Sequence, residues 1–282
     1  MSALRKRMIE DMQLHGFSAN TQELYVRAVR LLSEFVHHSP DKVTEDELRQ
    51  YFLYLTNEKK SSRSTTTVAI CGIRFFYERT LRRDWPTLRL MRPAREYKLP
   101  VVLSREEVHR VLAAVGIPVY RVCLTTIYSC GLRLMEGARL RVRDIDSARM
   151  VLIVHGKGKR DRAVALAQPT LNMLREFWKT HRSPEWLFPA QGVEYPVVPV
   201  TGRSLQRAFY QAWKKTGIAK RAHVHSLRHS YATHLMEAGV HLRLIQDTLG
   251  HRSPKTTAVY THLTQQVRDT LTDPLHELLK DL

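Results

Sequence analysis

One stretch constrains this 282-residue chain more than any other, the run from His225 to Tyr260, HSLRHSYATHLMEAGVHLRLIQDTLGHRSPKTTAVY. His225 and Arg228 stand three residues apart and share a face if the segment is helical. Leu227, Tyr231, Leu235 and Met236 recur at a helical period, so a helix is predicted that ends at Ala238, with Gly239 as its stop. A second short helix is predicted over Leu242 to Leu249, closed by Gly250 just before His251. Ser253-Pro254 is a turn or helix-start signal, and a threonine-rich segment follows it to Tyr260. Singly, a histidine or tyrosine on a helix is most often a satisfied core or surface residue. Together, two histidines, an arginine and a tyrosine in this order are groups that can hold a phosphate, move a proton and supply a nucleophile.

Charge narrows the partner. Lys and Arg number 45 against 27 Asp and Glu, a formal net charge of +18. A chain this basic usually meets a polyanion, and duplex DNA carries about one charge per 1.7 Å of axis. Binding to a membrane surface is the rival, but no basic amphipathic helix with a continuous apolar face stands out. The sequence MSALRKRMIEDMQ lacks the apolar core of a signal peptide, and no run approaches the roughly 18 apolar residues of a membrane span, which places the protein in the cytoplasm, at the nucleoid. Cys71, Cys123 and Cys130 form neither a C-x-x-C pair nor a zinc spacing, and their odd number argues against a disulfide framework. The fourteen histidines come without an H-E-x-x-H motif or a carboxylate cluster. No metal and no cofactor is expected.

The first hundred residues read as helices. Ser18 or Asn20 can cap a helix carrying Leu24, Ala28, Leu31, Leu32 and Phe35. Thr44 with Glu47 forms a capping box ahead of Leu48, Tyr51, Phe52 and Leu55. Ser61 to Thr67 is a polar run, read either as a solvated loop or as hydroxyls for phosphate contact, and it leads into a third helix with Ile70, Ile73, Phe76 and Tyr77. A fourth is placed around Leu88 to Met91. The segment MRPAREYKLP, with two prolines and three basic residues, marks a linker. The expected organisation is therefore a helical domain over residues 1–92, a linker over 93–102 and a second domain over 103–282. That second domain opens on another capping box, Ser104 with Glu107.

Farther on, Met150 to Val154 and Ala163 to Leu166 are β-rich and flank the turn Gly156-Lys-Gly-Lys-Arg-Asp161, which predicts a hairpin. Pro169 to Thr180 and Ser204 to Gly217 read as amphipathic helices. Arg207, Lys214 and Lys215 on the latter either face DNA or form a solvated face. Residues 191–202 form an irregular stretch with two prolines. The expected fold class is mainly α with one small β-hairpin or sheet.

The series H-x-L-R-H, L-G-H and T-T-x-x-Y-T-H, in that order, resembles the C-terminal signature of the tyrosine recombinases, or phage integrase family. Tyr128-Ser-Cys-Gly-Leu-Arg133-Leu-Met-Glu136 is similar to the family's first arginine box, G-L-R-x-x-E. The resemblance implies a two-domain clamp on DNA, a helical core-binding domain followed by a catalytic domain. It also implies six catalytic positions, Arg133, Lys157, His225, Arg228, His251 and Tyr260. Lys157 aligns with the hairpin lysine better than Lys159 because it follows the first glycine. Glu136 is expected to support Arg133. The box continues E-G-x-x-L-R-V through the unusual helix-interior Gly137, as in integron integrases, so kinship with those proteins or with Xer-like recombinases stays open.

Chemistry requires these residue types. A tyrosine hydroxyl titrates near ~10 and must lose its proton as it attacks. Two guanidiniums stay charged at any working pH and can hold the non-bridging oxygens through paired N–H donors. His251 would add a donor. From the resemblance, Lys157 protonates the leaving 5′-oxygen and His225 accepts the tyrosine proton. The product would be a 3′-phosphotyrosyl bond, which permits religation without ATP or magnesium. The implied activity is site-specific recombination through a Holliday junction. The implied partner is double-stranded DNA with an inverted-repeat site, bound by a homotetramer or by a tetramer shared with a second recombinase. The apolar tail from Leu263 to Leu282 either folds back on its own core or docks on a neighbouring protomer. A type IB topoisomerase would share the chemistry, and a DNA-binding regulator that does not cleave is the alternative of another class.

Overall fold

A computed structural model of the chain describes residues 2–83, 99–156, 160–190 and 198–250. The chain divides into two compact units, Met1–Tyr97 and Lys98–Leu282.

In the first unit, α1 (Ala3–Leu14), α2 (Ala19–Val36), α3 (Glu45–Leu53) and α4 (Arg63–Phe75) surround one apolar core. Ser18 caps α2, and Thr44 with Glu47 forms the expected capping box on α3. These caps satisfy amide donors that the first helical turn leaves open. Helix α1 buries Met8 and Met12 and packs Leu4 and Ile9 against the same core. The polar run of residues 61–67 is largely not a loop. Ser62 caps α4 by accepting from the Thr65 amide, and Thr66 and Thr67 donate back to the carbonyls of Ser62 and Arg63. Their hydroxyls serve the helix's own first turns. Both α3 and α4 run on into single π-helical turns, Tyr54–Glu58 and Phe76–Thr80. The short helix expected near Leu88 lies outside the described residues.

The second unit begins with α5 (Arg105–Ala113), capped by the Ser104–Glu107 box, then α6 (Pro118–Ser129) and the short α7 (Leu134–Ala138). A three-stranded antiparallel sheet follows in the order β1 (Ile145–Asp146), β2 (Val151–Gly156), β3 (Arg160–Ala165). Four helices complete it: α8 (Gln168–Lys179), α9 (Gly202–Thr216), α10 (Val224–Glu237) and α11 (Leu242–Leu249). Gly137 packs α7 onto α6 so closely that a Cβ there would sit 2.4 Å from Ile127 Cγ1, which explains glycine inside that helix.

Helix α10 departs from its expected face. Leu227 is buried, but so are Ser226, Arg228, Ser230, Ala232, Thr233 and His234, while Tyr231, Leu235 and Met236 are only partly covered. The helix is enclosed on nearly all sides, and Ser230 and His234 are bonded inside. Ser230 Oγ accepts from the Leu103 amide at 2.9 Å. His234 Nε2 lies 3.0 Å from the Leu103 carbonyl, which can only accept, so this nitrogen carries the proton and Nδ1 accepts from Tyr128 at 2.9 Å. Burial also lowers the His234 pKa, in keeping with a neutral ring.

Candidate active site

Arg133 ends the G-L-R turn as the N-cap residue of α7. Its amide donates to Glu136 Oε2 at 2.8 Å and its Nη1 to Glu136 Oε1 at 2.7 Å. The three-residue spacing therefore makes Glu136 a cap and an ion-pair partner at once. The side chain of Arg133 remains 42% exposed, whereas that of Glu136 is only 8% exposed.

Arg228 approaches the same carboxylate from α10. It is 5% exposed, with Nη1 bonded to the Gly131 carbonyl at 2.7 Å and Nη2 to the Leu249 carbonyl at 2.6 Å. Its Nη1 lies 3.8 Å from Glu136 Oε2. The backbone makes this possible at Gly131, which has φ +59° and where a Cβ would meet the Tyr231 ring at 2.5 Å.

A third guanidinium joins them. Arg162 on β3 forms a two-pronged pair with Glu136, Nη1 to Oε1 at 3.0 Å and Nη2 to Oε2 at 2.7 Å, and its Nε donates to the Thr248 carbonyl at 2.8 Å. Burial alone would raise the Glu136 pKa. The hydrogen bonds from Arg162 and from the Arg133 amide and side chain outweigh it and hold the carboxyl at about 2.

The end of α11 closes the cluster. Its last carbonyls, which no helical amide can reach, accept from these arginines: Thr248 from Arg162, Leu249 from Arg228, and Gly250 from Arg133 at 3.4 Å. Three cations thus sit at the negative end of a helix, where the peptide dipoles favour them. Gly250 turns the chain out at φ +63°, with Arg162 Cδ 3.1 Å from where a Cβ would stand. His251 is the next residue.

His225 lies in the first turn of α10, which His223 caps by accepting from the Ser226 amide. It retains solvent access, while protein packed on one side and the positive fields of His223, Arg228 and Arg133 lower its pKa. Deeper in the helix, burial first and then the fields of His223, His225 and Arg228 lower the His229 pKa to about 4. On the hairpin, His155 faces Asp161 in register, bonds it through Nδ1 at 2.9 Å, and reaches the buried Asp144 through Nε2 at 3.2 Å. A cavity of about 680 Å³ opens beside Arg133, lined among others by Arg139, Arg141, His155 and Trp186. The Arg141 guanidinium lies 5.0 Å from the Trp186 ring centre.

Of the six positions expected to act, the structure brings Arg133, Arg228 and His225 into one region, while Lys157, His251 and Tyr260 lie outside the described residues. Arg162 was missed, although the sequence carries a signal for it. On β3 the inward positions alternate as Arg162, Val164 and then Leu166 beyond the strand, opposite the buried Val154 and Leu152. A charge at an inward strand position is unusual enough to demand a partner. Among the described residues no group of three His, Cys, Asp or Glu is placed to hold a metal ion, and no helix is long and apolar enough to cross a membrane.

This site matches a known class. Residues 102–267 match the phage integrase family, and residues 4–87 match the SAM-like N-terminal domain of phage integrases. The first match spans positions 157, 251 and 260 as well as the described arginines. A putative integrase/recombinase of Sinorhizobium fredii is 42% identical over 93% of this chain and 85% of its own length. The tyrosine recombinase XerC of Halalkalibacterium halodurans is 32% identical over 78% of each chain. Among solved structures, the XerA recombinase is 26% identical with a TM-score of 0.54, covering 96% of this chain and 97% of that one. A lambda integrase dimer bound to a COC' core site shares the fold, with a TM-score of 0.75 over 92% and 94% of the two chains at 16% identity. The chain belongs to the phage integrase family. It is a tyrosine-type site-specific recombinase, of the class of enzymes that break and rejoin DNA strands.

Proposed function

We propose that this recombinase cleaves each DNA strand with Tyr260 as the nucleophile, forms a 3′-phosphotyrosyl link, and exchanges strands through a Holliday junction. The observation that carries this reading is the arginine cluster. Three guanidiniums around one carboxylate leave a net charge of +2, and the most exposed of the three, Arg133, borders an open basic cavity. A phosphodiester carries one negative charge. As the tyrosine oxygen bonds to phosphorus and its proton departs, the charge on the phosphoryl group grows toward −2, and fixed donors stabilise that growth.

In this scheme Arg133 and Arg228 hold the non-bridging oxygens, with His251 as a further donor. His225 accepts the phenolic proton. A lowered pKa suits it to the task, because it is neutral, and so basic, at pH 7. Lys157 gives a proton to the 5′-oxygen as the P–O bond breaks, leaving a free hydroxyl. Attack by the 5′-hydroxyl of the exchanging strand reverses the steps and releases Tyr260. We assign residues 1–92 to a core-binding domain and 103–282 to the catalytic domain, joined by 93–102. The two hold duplex DNA with inverted repeats, and four protomers assemble on the paired sites.

Capture of protein-linked DNA ends from the source genome, comparing wild type with Tyr260→Phe, tests this reading. Adducts at one defined sequence, absent in the variant, are expected. Scattered adducts would favour topoisomerase action, and adducts that persist in the variant would show that the nucleophile is another residue.

A further inference from the structure

We infer that Arg162 is a positioning residue of the reaction, which sets the charge and the aim of the phosphate-binding arginines without touching the phosphate itself. The inference rests on the functional reading above.

Exposure separates Arg162 from Arg133, and the two-pronged pair with Glu136 separates it from Arg228, which is as enclosed but meets that carboxylate only at 3.8 Å. Its side chain is 12% exposed against 42% for Arg133. Every nitrogen of its guanidinium is already committed, Nη1 and Nη2 to the two oxygens of Glu136 and Nε to the Thr248 carbonyl. Those bonds point inward, toward the support of the site.

Two consequences follow. The first concerns charge. Were Glu136 to face only Arg133 and Arg228, its carboxylate would cancel one of them and leave a single positive charge for a phosphoryl group approaching −2. Arg162 takes up that carboxylate with a two-pronged pair, the strongest geometry available to it, and restores +2. The second concerns aim. Arg162 extends from the strand that leaves the Lys157 hairpin, bonds the residue that caps Arg133, and bonds the helix end three residues before His251. One side chain therefore ties together the supports of three proposed catalytic groups. A displacement of the order of 1 Å at such groups can cost about 100-fold in rate.

The test uses the full-length protein and a nicked suicide duplex carrying the sequence recovered by adduct capture. It is made with either an ordinary phosphate or a neutral methylphosphonate at the scissile position. Arg162→Gln is expected to slow single-turnover cleavage of the phosphate duplex about 100-fold, with DNA affinity held within about threefold because no phosphate contact is removed. On the methylphosphonate duplex, where less charge develops, the loss should shrink at least tenfold. Equal losses on both duplexes, or affinity falling in step with rate, would overturn the proposal.

Glu136→Gln combined with Arg162→Gln removes one charge of each sign and returns the net charge to +2. This double variant should cleave at least tenfold faster than Arg162→Gln alone, and should do so even if the single variant folds poorly. No recovery would mean that charge balance is not what Arg162 supplies. Failure of the wild type to form any covalent product, or formation of one by Tyr260→Phe, would instead sink the functional reading on which the proposal stands.

Discussion

The two units handle charge in opposite ways. Among the described residues of the first unit, no Asp, Glu, Lys or Arg is buried, and ion pairs such as Lys6–Glu10 and Arg30–Glu34 lie one turn apart on solvated helix faces. Its core is apolar, built on Met12, Leu32, Leu48 and Ile73. The second unit has a larger apolar core, yet sinks Glu136, Arg162 and Arg228 into it. Exposed pairs contribute little and buried ones carry a desolvation cost that apolar residues of the same volume would avoid. Stability alone would not build the second arrangement. The difference teaches that the first unit is organised to fold and present a surface, whereas the second gives up stability to hold cations in fixed geometry.

The sharpest way to break this comparison is Glu136→Ala. Removing the one carboxylate leaves Arg162 and Arg228 buried without it, and a loss of about 3–5 kcal/mol is expected in denaturant unfolding followed on the second unit. A loss below about 1 kcal/mol would mean that water or backbone carbonyls alone sustain the cluster. Acid comes next. The Glu136 carboxyl is held at about 2 in the folded state against an ordinary 4.5. A depressed carboxyl pKa contributes stability that is fully present above about pH 4.5 and is lost as pH falls toward 2. The shift corresponds to the order of 3 kcal/mol. Unfolding free energies of wild type and Glu136→Gln, measured from pH 6 to pH 3, should therefore converge on the acid side, and parallel curves would contradict the assignment. The smallest effect is expected in the first unit. Glu34→Gln breaks the exposed pair with Arg30 and should change stability by less than about 0.5 kcal/mol. A larger change would show that charge matters there too.

Much of the fold was legible from local rules. Thr44–Glu47 and Ser104–Glu107 were readable as capping boxes because the bonds that make them span three residues. The hairpin was readable from two β-rich runs around a glycine turn. Helix α1 was not, because Met8 and Met12 give it a weak stripe whose burial depends on partners distant in sequence. At the polar run 61–67 only the loop reading is overturned, for a related reason. Serine and threonine serve loops and first helical turns equally well, and only the bonds of Ser62, Thr66 and Thr67 distinguish the two. On α10 the period of Leu227, Tyr231, Leu235 and Met236 correctly announced a helix but not its enclosure, since Ser230 and His234 find their partners at Leu103, more than a hundred positions away.

The sequence by itself determined the family, because its motifs are written along the chain, and it nominated Arg133, Lys157, His225, Arg228, His251 and Tyr260 as candidates. It also determined that the chain is strongly basic and that its elements are chiefly helical. Only the tertiary structure decided how the arginines are held. One carboxylate from α7, one guanidinium from β3, one from α10 and the last carbonyls of α11 meet at a single point. No local rule relates residues 133, 162, 228 and 250. Hydrogen bonds and Coulomb attraction act over a few ångströms in space, and chain folding, not sequence separation, sets those distances.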